Sequence, residues 1–236
     1  MGRPLRLARL LACFGLAGAE LRAEVPALLA RAIERWNAGK GELAFTQETK
    51  RYRQDGELRD DRIERFDPSL PDSGRWTLVT VNGKPATDEQ RARSEARKNA
   101  RPRKKVTEAP AHYLDLDHAV LVSETRTVAR FRVPLLASAQ HIVDVAGVAL
   151  VITVDKETGS IARVGAVLRQ AVHTLFGLAE ITDLDIDLHM DPDSAPSDSR
   201  DEVLPGSSAR VKLSELGHPV EYDWTDFKRV ASYPNR

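Results

Sequence analysis

The chain has 236 residues, with 35 Lys and Arg against 35 Asp and Glu and 42% apolar residues, so it has ample material for a packed core and no bulk charge that would mark a nucleic-acid binder or a disordered tail. Its one cysteine, Cys13, excludes an intramolecular disulfide framework and any cysteine-cluster metal site.

The first residues, "MGRPLRLARLLACFGLAGAELRAEVP", place Arg3, Arg6 and Arg9 ahead of an apolar run from Leu10 to Ala19. That pattern reads as a cleaved secretory signal, residues 1–19, with Ala23 as the alternative end. The run is far shorter than the roughly 20 residues of a membrane span. A lipid-anchored reading through Leu10-Leu11-Ala12-Cys13 is the weaker alternative, because Arg9 leaves almost no apolar stretch before the cysteine. Export to the periplasm is the expectation. Loss of the three leader arginines leaves a body of net charge −3, within which residues 91–105 alone carry eight bases against Glu95. An acidic molecule with one concentrated basic segment results.

Beyond the leader, "VPALLARAIERWNAGKG" sets Leu28, Leu29, Ala32, Ile33 and Trp36 on one helical face, opened near Pro26 and ended by Asn37 and Gly39. From residue 42 the apolar period changes to two. "ELAFTQETKRYR" and "ELRDDRIERF" flank Gln54-Asp55-Gly56, a tight hairpin signal, and "RWTLVTV" supplies a third strand ending at Asn82-Gly83.

Thr87 followed by Gln90 is a capping box, Asp88 and Glu89 suit a helix N-terminus, and Pro102 prevents continuation, so a second helix is expected over 87–99. Its apolar stripe is only Ala92, Ala96 and Ala100. Three buried methyl groups at about 0.8 kcal/mol each anchor a helix poorly. This predicts a solvated helix within a basic segment whose Arg91, Arg93, Arg97, Lys98, Arg101, Arg103, Lys104 and Lys105 form a docking rim for an anionic membrane surface or an acidic partner protein. No aromatics are interleaved for base stacking, so nucleic acid is not expected as a partner.

Further strands are expected at 128–133, 141–145, 149–155 and 160–170, the last two joined by a turn at Lys156 to Gly159. "EITDLDIDLHM" alternates cleanly, with Leu184, Ile186 and Leu188 inward and Asp183, Asp185, Asp187 and His189 outward, paired with Arg163 and Arg169 on a neighbour. Strand neighbours on one face are about 6.6–6.8 Å apart, too far for that acidic row to enclose one cation. Residues 191–208, rich in Pro, Ser and Asp, are expected to be a mobile loop, and a hairpin around Gly217-His218-Pro219 closes the chain.

About nine or ten hairpin-linked strands and two helices predict an α+β fold. A strongly curved antiparallel sheet with helices covering its concave face accommodates them in a single domain over 24–236. The six histidines show no metal-ligand spacing, and no HExxH, GxSxG, GxGxxG or Walker sequence occurs. No catalytic residue, metal or cofactor is expected.

The order of elements over residues 24–233, with "GELAFTQETKRYR", "GRWTLVTVNGKPATDEQ" and the closing "YDWTDFKRV", resembles the periplasmic lipoprotein-carrier superfamily of LolA/LolB-like proteins. The resemblance implies a half-open β-barrel whose concave apolar face holds acyl chains. It points to an exported, non-enzymatic carrier or sensor of a hydrophobic ligand or lipidated protein, with Phe45, Trp76, Leu78, Phe131, Ile186 and Leu188 as candidate lining residues. The basic segment 91–105 and the acidic loop 191–208 depart from that pattern. An envelope interaction module with a self-filled core is the alternative, and an unrecognised hydrolase the third reading.

Overall fold

The computed structural model describes residues 27–38, 42–99, 113–136, 147–174, 179–190 and 202–231. Two helices, α1 (Ala27–Ala38) and α2 (Asp88–Asn99), accompany thirteen strands among these residues. The strands are β1 (Glu42–Tyr52), β2 (Leu58–Phe66), β3 (Trp76–Val81), β4 (Lys84–Pro85), β5 (Val120–Glu124), β6 (Val128–Val133) and β7 (Val148–Asp155). They continue with β8 (Ile161–Leu168), β9 (Val172–Thr174), β10 (Ala179–His189), β11 (Glu202–Val203), β12 (Ser208–Glu215) and β13 (His218–Val230). All belong to one antiparallel sheet, ordered β4-β3-β2-β1-β13-β12-β10-β8-β7-β6-β5, with β9 on β10 and β11 on β13. β4 and β5 end the order without pairing to each other, so the sheet is open. Between β2 and β1 on one side and β7 and β6 on the other, the last strand of the chain is inserted beside the first. That one long-range pairing joins the two hairpin series.

Helix α1 supplies the hub of the core. Leu29 and Ala32 are completely buried and Ile33 nearly so, clustered with Phe131 of β6, Ile152 of β7, Val164 of β8 and Phe227 of β13. Phe131 and Phe227 are separated by four strands in the sheet order, roughly 24 Å at 4.7–4.9 Å per strand if the sheet were flat. One short helix joins them into a single cluster because the sheet curls around it. The helix is also tied at its end: the Arg35 guanidinium donates to the carbonyl of Thr158 in the β7–β8 turn. Gly159, at φ +66, closes that turn, its α-carbon facing the same guanidinium.

Helix α2 starts as the capping box requires: Gln90 N–H donates to Thr87 Oγ1 at 3.3 Å, and Thr87 N–H to Gln90 Oε1 at 2.9 Å. Its packing face is not the expected one. Ala92 and Ala96 are exposed, and Ser94 is buried with Lys98 half-buried beside it. The alanine stripe is too weak to compete with a buried carboxylate that offers a charged anchor, Glu64 of β2, so the helix turns its polar side down.

Several expectations need adjustment. The strand Val120–Glu124 was not expected; all five of its residues are exposed, so it lacks the alternation that marks a half-buried strand. The expected strand at 141–145 lies outside the described residues. Of the expected loop 191–208, the stretch 202–208 is ordered against the sheet: Glu202 and Val203 pair with Arg229 and Lys228, Leu204 is buried, and Ser207 bonds to the backbone of His189. Its first part, 191–201, lies outside the described residues. The last hairpin turns on Leu216-Gly217, with His218 and Pro219 already in β13.

Candidate functional site

The pleat decides which side chains share the inner face of the sheet. Register places Phe45 opposite Phe66, Gln47 opposite Glu64, Thr49 opposite Arg62 and Arg51 opposite Asp60 across β1 and β2. On the other flank of β1, Gln47 faces Trp224 and Thr49 faces Tyr222 of β13. The inner face is therefore aromatic at one end of these strands and polar at the other.

The aromatic end is a packed cluster. Phe45 lies 5.1 Å from Phe66, 5.9 Å from Trp76 and 6.0 Å from Phe227 between ring centroids, and Phe66 lies 4.8 Å from Trp76. Edge and tilted contacts at these distances add to the area they bury.

At the polar end is a cavity of about 270 Å³. Gln47, Thr49 and Arg51 of β1, Asp60, Arg62 and Glu64 of β2, and Tyr222 of β13 form its floor, with Arg97 and Lys98 of α2 above. Glu64, only 4% exposed, accepts from Ser94 Oγ at 3.2 Å and is ion-paired to Lys98. The Lys98 ammonium also lies 3.7 Å from the Trp76 ring centre, a cation–π contact linking the polar cavity to the aromatic cluster. Burial holds the Lys98 ammonium below its ordinary range, with Glu64 pulling the other way.

The hydrogen-bond order around Gln47 is set by chemistry. Trp224 Nε1–H is donor only, so it fixes the Gln47 carbonyl as its acceptor at 3.1 Å, and the Gln47 amide then donates to Thr49 Oγ1 at 2.9 Å. Trp224 in turn stacks on Tyr222, centroids 5.6 Å apart and planes 13° from parallel. Arg62 Nε lies 2.8 Å from Asp60 Oδ2, yet is buried without a hydrogen bond among the described residues because the angle is poor.

The candidate lining residues divide into three groups. Phe131 and Leu78 are 1% and 3% exposed and belong to the interior, while Phe45 and Trp76 are in the aromatic cluster. Ile186 and Leu188 of β10 are half-buried on the inner face, and Leu188 packs against the core. Beside Ile186, Leu184 of β10 and Val211 and Leu213 of β12 are also half-buried. Val211 faces Tyr222 on one side and Leu184 on the other, so this apolar strip begins at the wall of the polar cavity.

The basic rim is altered in one important respect: Lys98 points inward to Glu64 and Trp76. Arg91 and Arg93 are ion-paired within α2 to Asp88 and Glu89. Arg97 shares the cavity. Arg101, Arg103, Lys104 and Lys105 lie outside the described residues. The cavity itself went unforeseen, because its floor comes from β1, β2 and β13, whose adjacency is a tertiary fact. A usable signal was present in Gln47, Thr49 and Arg51 succeeding Phe45 on one strand face.

On the outer face, Asp187 receives both Nε and Nη2 of Arg163 and lies 3.2 Å from His189 Nε2. Arg169 makes no ion pair with this row among the described residues and lines a second hollow of about 230 Å³ with Val133 and Val148. Among the described residues no group of three or more His, Cys, Asp or Glu side chains is arranged for a metal ion. No described helix is long and apolar enough to cross a membrane.

No family model matches the chain, and no curated protein matches it. Among solved structures it is similar to a chain from the complex structure of Pseudomonas aeruginosa MucA/MucB, at 12% identity over 86% of this chain and 93% of that chain, with a TM-score of 0.21.

Proposed function

We propose that the protein is an exported, non-enzymatic carrier or sensor that takes a hydrophobic ligand on the inner face of its curved sheet. The observation that supports this is the half-buried apolar strip of Leu184, Ile186, Val211 and Leu213. Apolar side chains left partly wet inside a concavity gain about 25 cal/mol for each Å² that a ligand removes from water. No specific polar contact is required for such binding. The resemblance to periplasmic lipoprotein carriers suggests the same class of cargo, an acyl chain or a lipidated protein, and the leader suggests the periplasm as the compartment. The exposed arginines of α2 suit an approach to an anionic membrane or an acidic partner.

Organic extraction and native mass spectrometry of the mature protein, purified from its exported form, test the reading. A co-purifying lipid species is the expected result. Bare polypeptide by both methods, with no uptake of a fluorescent fatty acid, would replace the carrier by an envelope module whose core is filled by its own side chains.

A further inference from the structure

The cavity under α2 offers four cationic side chains, Arg51, Arg62, Arg97 and Lys98, against two carboxylates. Glu64 is committed to Lys98 and Ser94. Asp60 Oδ2 lies 2.8 Å from Arg62 Nε, which makes no hydrogen bond among the described residues. Arg51 and Arg97 have no ion pair among the described residues, so the cavity holds a positive excess that nothing in the described structure neutralises.

The neutral groups have the same bias. Thr49 Oγ1 already accepts from the Gln47 amide, which leaves the threonine hydroxyl hydrogen to be donated. The Tyr222 hydroxyl and the guanidinium edges are donors too. An arrangement of donors and cations around about 270 Å³ has room for a phosphate- or carboxylate-sized group with some of its water.

The cavity also adjoins the apolar strip. Thr49 pairs with Tyr222, Tyr222 with Val211 and Val211 with Leu184, so the cavity and the apolar strip are consecutive on one sheet face. Three strand spacings of roughly 4.8 Å, about 14 Å in all, separate the cationic floor from Leu184. A molecule with an anionic head and a hydrocarbon tail fits that sequence of surfaces.

We infer that the cavity between β1, β2, β13 and α2 is an anion site that binds the phosphate or carboxylate head of an amphiphile whose tail lies across Tyr222, Val211 and Leu184. The inference rests on the proposed hydrophobic-ligand function for its tail, and on the cavity alone for its head. Arg62 and Arg97 grip the head from opposite sides, one from the sheet and one from the helix. Headgroup binding thereby joins α2 to β2.

Titration calorimetry at low ionic strength separates the two parts. The probes are lysophosphatidylglycerol below its micellar concentration, dodecyl maltoside as a neutral amphiphile, and inorganic pyrophosphate as a head without a tail. The expected result is that the anionic lipid binds at least tenfold more tightly than the maltoside. Arg62→Gln and Arg97→Gln should each remove most of that preference while leaving maltoside binding, and hence the fold, intact. Pyrophosphate binding that weakens in the same variants, with neither amphiphile bound, would retain the anion site while removing the hydrophobic-ligand function. Equal affinity for both amphiphiles, indifference of the lysolipid to both arginine variants, or no binding of any probe would overturn the anion site.

Discussion

The Lys98 ammonium is ion-paired to Glu64 across the gap between α2 and β2 and sits 3.7 Å from the centre of the Trp76 ring. A helix with no apolar face is thus held by Lys98, through a charge and a ring on adjacent strands, with Ser94 adding its hydrogen bond to the same Glu64. Removing either partner leaves the other charge buried, the costly half of any ion-pair deletion.

Lys98→Ala is accordingly expected to destabilise the protein by about 2–3 kcal/mol in urea unfolding, above the value for an exposed pair. Glu64→Gln should cost a similar amount, and the double variant much less than the sum, giving a coupling on the order of 1 kcal/mol or more. Strict additivity would mean that the pair does not hold α2. Because burial places the Lys98 ammonium below the ordinary 10.5, the folded state releases its proton first. Stability relative to Lys98→Ala therefore rises with pH through the alkaline window up to 10.5 and declines as pH falls through the folded value.

Two outer-face carboxylates have opposite signs. Burial raises the Asp61 carboxyl above the ordinary 3.8, with Glu48 adding like charge, and its Oδ1 has no hydrogen-bond partner among the described residues. A raised group contributes stability below 3.8 that is lost as pH climbs through the folded value. Asp61→Asn should raise the urea midpoint at pH 7, the gain shrinking as the buffer is taken toward pH 4; a lower midpoint at pH 7 would contradict this.

Asp187 is held below 3.8 by the Arg163 hydrogen bonds and then by His189. Its contribution is present above 3.8 and lost as pH falls through the folded value. Arg163→Gln should flatten the acid limb of the stability profile. The pair is half-exposed, so the change at pH 7 should stay under about 1 kcal/mol.

Core and lining are separable by substitution. Phe131→Ala removes a side chain that is 1% exposed and should cost about 3–5 kcal/mol. Ile186→Ser, at a half-buried position, should cost about 1 kcal/mol while weakening uptake of a fluorescent fatty acid severalfold. Loss of uptake in proportion to lost stability at both positions would remove the distinction.

The β7–β8 turn is a further point of sensitivity. Gly159 has φ +66, and a β-carbon there would lie 3.4 Å from an Arg35 guanidinium nitrogen. Gly159→Ala should destabilise by about 1–2 kcal/mol, since the left-handed backbone disfavours a side chain. Native hydrogen exchange should show the loss concentrated in α1. A neutral or stabilising alanine would show that the turn tolerates other geometry.

Local chemistry alone determined much of this molecule. The helical face of Leu29, Ala32 and Ile33, the Thr87–Gln90 box and the Asp55-Gly56 turn are read within a few residues, because capping, turn conformation and amphipathic period are short-range properties. The inward set Leu184, Ile186 and Leu188 was legible for the same reason. Tertiary structure alone decided where those elements meet. Pairing of β1 with β13 joins residues nearly two hundred positions apart and brings Thr49 to Tyr222, and no local pattern encodes that register. The orientation of α2 was likewise a global outcome. Its alanines stabilise too little to choose a face, so a distant buried carboxylate, Glu64, chose for them.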